Sequence, residues 1–296
     1  MSESISIVLP IHRIPQDFNS ILVWLSDLPL EYELIIAHDI KNREFLPLEI
    51  NNLKAVHQNL KIVEGYFGGP GNTRNEGLRL VNSSYVAFWD ADDLPSITNF
   101  NEMFEQFRNS HYEIAVGGYS KLNVKNSKMK IILPNQDALL YQIAGEVALW
   151  RFIFKTQAVQ RIKFPKLYMA EDQIFVSNVF SSIEQIKIFR KVVYNYTYNN
   201  NGQLTSDVYD YKIFVEAIKL LFSDLQKKDP QQQSFAKLLI IRLCLTLLKN
   251  FNLKQIINVI LSITHLLLRD LIDLKFNLFF YLRFLISYYQ TRFDDR

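Results

Sequence analysis

Short apolar runs alternate with helical segments along the first 120 residues of the chain. Four of these runs are rich in branched and aromatic residues and predict β-strands, at residues 4–9, 32–37, 60–64 and 84–89. Helical spacing of apolar side chains predicts helices at residues 17–28 and 72–81. Asp17 is available to cap the first helix, and Pro10 is expected to end the first strand. This alternation is typical of an α/β layer with parallel strands.

Similar patterns continue to about residue 210 and then change. They predict a helix at 96–109, strands at 114–116, 130–133 and 186–189, a mostly helical segment at 141–159, a helix at 172–180 and a polar, turn-rich stretch at 194–206. From residue 211 the sequence is apolar and helical, with a polar break at 227–230. We therefore predict an α/β domain over residues 1–210 and a helical C-terminal extension over residues 211–296.

An acidic cluster, Asp90-Ala91-Asp92-Asp93, follows the fourth predicted strand. In parallel sheets ligands collect at the carboxyl ends of strands, where Asp39 also lies, at the end of the second strand. Three carboxylates in four positions repel one another unless a cation lies among them, and Mg²⁺ or Mn²⁺ prefers such oxygen ligands. The alternative is an aspartate-rich cap for the following helix, a role that Asp93 alone could fill.

The loop that precedes the acidic cluster contains Gly68-Gly69-Pro70-Gly71 and then Asn72-Thr73-Arg74. Flexible backbone, a helix N-terminus and a guanidinium group in one place suit a phosphate group, or else a sharp turn from strand to helix. The loop matches neither G-x-G-x-x-G nor the P-loop. Arg74 could equally form a structural ion pair.

A second acidic pair, Glu171-Asp172, opens a predicted helix about 80 residues after the aspartate cluster. Carboxylates in the first turn of a helix usually interact with the helix dipole. A carboxylate next to a sugar hydroxyl could instead act as a general base. The residues alone leave both roles open.

Composition excludes several classes of protein. Hydrophobic residues make up 49% of the 296 residues and charged residues 21%, so the chain can bury a core. The single cysteine, Cys244, excludes an internal disulfide framework. We find no signal-peptide pattern and no run of 18 uncharged apolar residues, so a cytoplasmic protein is expected.

Charge is unevenly distributed along the chain. Residues from 211 on contain 13 Lys and Arg against 7 Asp and Glu, whereas the whole chain has a net charge of only +3. Without a concentrated basic face, nucleic-acid binding is not expected. The basic, apolar tail could pack on its own domain, form a homo-oligomer, or lie on the inner membrane with Lys275, Arg283 and Arg292 toward lipid headgroups.

Seven segments between residues 4 and 200 form a recognisable series: 4–10, 33–39, 69–77 (GPGNTRNEG), 84–93 (SYVAFWDADD), 150–154 (WRFIF), 162–165 (IKFP) and 171–175 (EDQIF). In this order they resemble the inverting family 2 glycosyltransferases, which have the GT-A fold. The resemblance implies a Rossmann-like, mixed but mostly parallel sheet with flanking helices. It also implies a nucleotide-sugar donor.

The resemblance assigns expected roles to individual residues of the donor site. Pro10 and Asp39 would hold the base and ribose of the nucleotide, and Arg74 would lie near it. Asp90 would face the ribose or the metal ion, and Asp92 would be the main ligand of Mn²⁺ or Mg²⁺.

The acceptor site receives its roles from the same resemblance. Asp172 would be the catalytic base and Glu171 a supporting or acceptor-binding carboxylate. Trp150 and Arg151 could line the acceptor site, or could be a core tryptophan and an arginine on a helix surface.

The expected activity is metal-dependent, inverting transfer of one sugar from a nucleoside-diphosphate-sugar, with UDP favoured, to a glycan or lipid-linked saccharide. Such acceptors belong to surface polysaccharides such as capsule or lipopolysaccharide. Two alternatives remain: an inactive, dimerising scaffold, and a nucleotidyltransferase. The latter should carry a glycine-rich basic loop after the first strand, where this chain has Pro10-Ile11-His12-Arg13.

Overall fold

The computed structural model describes residues 2–12, 16–40, 44–45, 47–180, 183–198 and 210–250. The chain forms two compact units. The first contains Met1–Pro134, Leu149–Lys166 and Glu184–Ser206, and the second contains Asn135–Ala148, Leu167–Ile183 and Asp207–Arg296. The second unit thus includes two early segments that the sequence prediction placed in the α/β domain.

A nine-stranded sheet forms the framework of the first unit. Its strands are β1 (Ser2–Ile11), β2 (Glu33–Asp39), β3 (Leu60–Gly65), β4 (Ser83–Phe88), β5 (Leu94–Pro95), β6 (Ile114–Asn123), β7 (Lys128–Ile132), β8 (Phe152–Lys155) and β9 (Ile186–Tyr198). The order is β3-β2-β1-β4-β8-β6-β9-β5, with β7 beside β6. Strands β1 to β4 are parallel, β8 is antiparallel to both of its neighbours, and β9 is parallel to β6. The predicted mixed, mostly parallel sheet is confirmed.

Helices connect the strands as the alternating pattern predicts. The first unit contains α1 (Gln16–Leu25), α2 (Pro47–Val56), α3 (Pro70–Arg79), α4 (Ile97–Arg108) and α6 (Thr156–Val159), and the second contains α5 (Leu139–Gly145), α7 (Glu171–Val179), α8 (Tyr211–Leu225) and α9 (Pro230–Asn250). Helix α4 shows why the prediction works. Its apolar residues Phe100, Met103, Phe104 and Phe107 recur at helical spacing and are all buried.

Residues 141–159, predicted to be mostly helical, are helical at 141–145, 149–151 and 156–159 but also contain a strand that the prediction missed. Helix α5 ends at Gly145, and the run Phe152-Ile153-Phe154 forms strand β8 between β4 and β6. All three side chains are buried. A short, continuous apolar run has no period that separates a buried strand from a buried helix, and here the two neighbouring strands decide the outcome.

The stretch predicted to form turns from residue 194 is strand as far as Tyr198. Strand β9 pairs with β6 along its length, and the last pair joins Tyr198 of β9 to Asn123 of β6. Tyrosines at 194, 196 and 198 alternate with polar residues, which is the period of a strand. Residues 199–209, the rest of that predicted stretch, lie outside the described part of the chain.

Two predictions about the start of the chain are also wrong. Pro10 lies inside β1, because the ladder with β2 continues to Ile11. On the other side, pairing with β4 ends at Val8, so the missing N–H of Pro10 costs no ladder bond there. Asp17 does not precede α1 but lies in its first turn, and its Oδ2 accepts the N–H of His12 at 3.0 Å.

Four helices, α5, α7, α8 and α9, make up most of the described part of the second unit. Asp210 caps α8 by accepting the N–H of Lys212 at 3.0 Å, and α9 packs against α5, α7 and α8. Phe180 stacks on Phe235 with ring centroids 4.6 Å apart. Among the described residues, no helix has the length and apolarity needed to cross a bilayer. Residues 251–296, with the predicted lipid-facing Lys275, Arg283 and Arg292, lie outside the described chain.

We predict that Gly77→Ala destabilises the protein by about 1–3 kcal/mol, because it overpacks the contact between α3 and β1. A Cβ at this position would lie 2.5 Å from Cγ1 of the buried Val8. Urea unfolding measures the change. Arg79→Ala, on the exposed side of the same helix, should stay within about 0.5 kcal/mol of the unmutated protein. Equal effects of the two substitutions would contradict this packing.

Candidate functional site

The acidic cluster follows a tightly packed residue, Trp89, at the carboxyl end of β4. Trp89 is fully buried, and its backbone N–H donates to the backbone carbonyl of Val8 at 3.1 Å. Its ring packs edge-on against the rings of Trp24 and Phe100, with ring centroids 5.3 Å and 4.8 Å apart. The backbone of Asp90, the next residue, therefore starts from a fixed position.

Tyr194 on β9 holds the backbone of Asp90. Its hydroxyl accepts the N–H of Asp90 at 3.0 Å and donates to the carbonyl of the same residue at 3.1 Å. The tyrosine ring is buried and stacks on Trp150, with centroids 4.4 Å apart and planes 13° apart. Burial, together with the charges of Asp93 and Asp90, raises the Tyr194 pKa well above its ordinary value, so the hydroxyl keeps its proton.

Asp93 links the cluster to β9 and is not a helix cap. Its Oδ1 accepts the N–H of Thr197 at 3.1 Å and the Thr197 hydroxyl at 3.4 Å, and the cap position of α4 belongs to Ser96. Burial raises the Asp93 pKa well above its ordinary value, and the charges of Asp92 and Asp90 raise it further. One of the three carboxylates therefore has a structural role.

Arg74 pairs with Asp90 across the cluster. Its Nη2 donates to Asp90 Oδ1 at 2.7 Å, and the guanidinium carbon lies 5.7 Å from the ring centre of Phe164. The arginine is buried, whereas one third of the Asp90 side chain is exposed. Burial raises the pKa of Asp90, Arg74 lowers it, and the charge of Asp92 raises it. The ion pair predicted as an alternative is present, and it lies inside the acidic cluster.

Asp39, at the end of β2, organises the loop that leads to α3. Its Oδ1 accepts the N–H groups of Phe67 at 2.9 Å and Gly68 at 3.3 Å, and its Oδ2 accepts that of Gly69 at 2.9 Å. Gly68 and Gly69 have φ of 77° and 129°, which L side chains rarely adopt. Asp39 thus fixes the start of the helix that carries Arg74, and its contact with a nucleotide base stays a prediction.

Pro10 lies at the same edge of the sheet, two residues beyond the pair Val8 and Phe88. Its expected contact with the nucleotide also stays a prediction.

Trp150 and Arg151 are buried side chains of the first unit. Trp150 stacks on Tyr194 and, at 5.7 Å, on Tyr196. The guanidinium carbon of Arg151 lies 5.1 Å from the ring centre of Tyr119. Trp150 therefore supports the tyrosine that holds Asp90, and contact of either residue with an acceptor remains an expectation from the resemblance.

Glu171 and Asp172 open α7 in the second unit, as the sequence predicts. Ala170 precedes them with φ of 66°, a left-handed conformation that is uncommon for a residue with a side chain. Asp172 Oδ1 accepts the N–H of Gln173 at 2.8 Å, and Glu171 is buried. The predicted location of Asp172 opposite the aspartate cluster stays a prediction.

The acidic cluster fits a divalent ion that is shared with a ligand. No group of three or more His, Cys, Asp or Glu side chains with ligating geometry occurs within the described residues. Magnesium-type ions that bind a substrate phosphate need only one or two protein carboxylates. Asp90 and Asp92 would provide these oxygens, and their charges raise the pKa of buried neighbours, which a cation would relieve.

Comparison with known proteins identifies the type of chain. Residues 6–179 match the family model described as glycosyl transferase family 2. A poly(ribitol-phosphate) beta-glucosyltransferase from Bacillus spizizenii is 25% identical over 247 residues, which cover 79% of this chain and 39% of that protein. The poly(ribitol-phosphate) beta-N-acetylglucosaminyltransferase TarS from Staphylococcus aureus is 22% identical over 237 residues, 77% of this chain and 41% of the relative. The chain thus spans about two fifths of the length of these relatives.

A solved structure confirms the expected fold. The crystal structure of residues 1–349 of S. aureus TarS in complex with UDP-GlcNAc superposes with a TM-score of 0.69 at 19% identity. The match covers 88% of this chain and 80% of that one.

The sequence analysis did not identify Tyr194 as a residue of the site, although the alternation of tyrosines with polar residues at 194–198 indicates a strand there.

We predict that Tyr194→Phe lowers the free energy of unfolding by about 1–3 kcal/mol, because it keeps the stacked ring and leaves the Asp90 N–H and carbonyl without this partner. Urea unfolding tests it against Tyr66→Phe, a tyrosine that is 84% exposed and should change little. A neutral Tyr194→Phe would show that the two bonds do not hold the cluster.

Proposed function

The chain belongs to glycosyl transferase family 2, and from this premise we propose that it transfers one sugar from a nucleoside-diphosphate-sugar to an acceptor hydroxyl, with inversion at the anomeric carbon. The observation that carries the proposal is the acidic cluster at the carboxyl end of β4, where Arg74 pairs with Asp90 and Asp92 lies two residues on. Cation-binding carboxylates next to a buried arginine suit a diphosphate.

The proposed donor is a UDP-sugar. TarS, which shares the fold, was crystallised with UDP-GlcNAc, and the relative from B. spizizenii is a glucosyltransferase. Both relatives are named as poly(ribitol-phosphate) glycosyltransferases, which supports a polymer acceptor. The proposal extends to lipid-linked saccharides from which cell-surface polymers are built. The walls of the sugar pocket decide between glucose, N-acetylglucosamine and other sugars.

On the donor side, the proposed role of the protein is to position the positive charges that stabilise the departing diphosphate. Asp90 and Asp92 would hold a Mn²⁺ or Mg²⁺ ion, which supplies positive charge to stabilise the departing diphosphate. Arg74 adds a fixed guanidinium beside Asp90, and Tyr194 and Asp93 keep the turn rigid while that charge develops. Because these groups are already oriented, little reorganisation accompanies the reaction.

On the acceptor side, Asp172 is the proposed general base. Its carboxylate takes the proton of the acceptor hydroxyl while the hydroxyl oxygen forms a bond to the anomeric carbon. The bond from that carbon to the diphosphate breaks on the opposite face, and the nucleoside diphosphate leaves with the electron pair. Glu171, buried beside it, would support the acceptor or the base.

We predict that Asp172→Asn lowers kcat by about 10²–10⁴-fold, because the amide cannot accept the proton. UDP release from UDP-glucose and UDP-GlcNAc in the presence of poly(ribitol-phosphate) measures turnover, and calorimetry with UDP should show an unchanged Kd. Asp27→Asn, an exposed aspartate of the first unit, is the matched control and should retain full activity. An Asp172→Asn protein with near-normal turnover would remove Asp172 from this role.

A further inference from the structure

The hairpin formed by β6 and β7 exposes an apolar strip. Its turn begins at Val124, which is 47% exposed, and Met129 and Ile131 are 65% and 56% exposed. Since side chains alternate along a strand, Met129 and Ile131 share one face of β7. Lys128 and Lys130 share the other face with Ile132, which is buried. Leu133, which is 38% exposed, directly follows the strand. Single exposed apolar residues are common, but four within ten residues of one hairpin form a patch.

The same hairpin is basic and contains no acid. No Asp or Glu occurs between Glu113 and Asp137, although acids and bases are nearly balanced over the chain, at 30 and 33. Lysines lie in this interval at positions 121, 125, 128 and 130. Lys125 and Lys128 are exposed and Lys130 is half-buried, while Lys121 is buried with its Nζ 4.7 Å from the ring centre of Tyr198.

The hairpin tip lies at the edge of the sheet that carries the acidic cluster. Strand β8 is antiparallel to both β4 and β6, so β4 and β6 run in the same direction and their carboxyl ends share one edge. Asn195 pairs with Ser120 of β6 and with Leu94, one residue after Asp93. Asn123 is three residues further along β6, about 10 Å at the rise of a strand.

We propose that this hairpin, residues 124–133, docks the protein on an anionic lipid bilayer. Lys125 in the turn and Lys128 directly after it are exposed and would bind lipid phosphates. Val124, Met129 and Ile131 would enter the interface between headgroups and acyl chains. A soluble polyanion would recruit the lysines but would leave the apolar strip in water, so the strip favours a bilayer. Docking here turns the carboxyl edge of the sheet toward the lipid, where a lipid-linked acceptor would be presented. Binding to lipid itself does not depend on the proposed catalytic function.

Flotation of the full chain on sucrose gradients tests the proposal. The probes are vesicles of phosphatidylcholine alone and of phosphatidylcholine with phosphatidylglycerol in equal parts. Two double variants remove the two features separately, Met129→Ser with Ile131→Ser and Lys125→Glu with Lys128→Glu. Matched controls on other surfaces of the first unit are Leu48→Ser with Val56→Ser, and Lys54→Glu with Arg79→Glu, all at exposed positions.

We expect the unmutated chain to float with the anionic vesicles. Each hairpin variant should bind about tenfold or more weakly, since each lysine near an anionic surface contributes about fivefold and each buried apolar side chain a similar factor. The controls should bind like the unmutated chain. Thermal unfolding within a degree or so of the unmutated protein would show that the exposed substitutions leave the fold intact.

Three results would overturn the proposal. The unmutated chain could fail to bind anionic vesicles, or both hairpin variants could bind as well as it does, which would assign binding to another part of the chain. A soluble poly(ribitol-phosphate) that binds the hairpin lysines, without loss in the Met129→Ser, Ile131→Ser variant, would assign the surface to a polymer.

Tryptophan fluorescence gives a second measurement of insertion. In the Met129→Trp variant, the emission of the new tryptophan should shift to shorter wavelength when anionic vesicles are added, and an unchanged emission would contradict insertion of the strip.

Discussion

The site depends on one electrostatic constraint: three carboxylates follow a buried strand within four residues, and their negative charges must be balanced. The fold balances part of this charge with its own groups. Arg74 pairs with Asp90 at 2.7 Å, and Thr197 donates two hydrogen bonds to Asp93. Burial and mutual repulsion still raise the pKa of Asp90 and Asp93. In the proposed function, a cation that entered this site would lower its free energy, and a diphosphate bound to that cation would also pair with Arg74.

The scaffold places that arginine through a chain of local constraints. Asp39 binds three backbone N–H groups of the glycine loop, the loop opens α3, and the second turn of α3 carries Arg74. Gly77 lets the same helix approach β1, where a Cβ would meet Val8. The carboxylate at the end of β2 and the cluster at the end of β4 are thus coupled through one short helix. A change in the loop would move the charge that faces Asp90.

The sequence predicts correctly those elements in which the spacing of apolar residues matches the pattern of buried side chains. Strand β2 is buried along its whole length, and α4 buries four apolar residues at helical spacing. Strand β8 and the second half of β9 were mispredicted, because neighbouring strands selected their conformation and the local pattern did not. Asp93 looked like a cap from its position before a helix, yet its partner Thr197 is 104 residues away. The role of Tyr194 could not be predicted, since it depends on hydrogen bonds to Asp90, which is 104 residues away in the sequence.

Calorimetric titration of UDP with and without Mn²⁺ tests the proposed metal site directly, on the unmutated protein and on Asp92→Asn, with Asp27→Asn as the matched control. We expect Mn²⁺ to strengthen UDP binding about tenfold or more in the unmutated protein and in the control. Asp92→Asn should lose most of this gain, because the ion loses a charged ligand. UDP affinity that is the same with and without metal, or a metal-dependent gain that survives in Asp92→Asn, would contradict the proposed metal site.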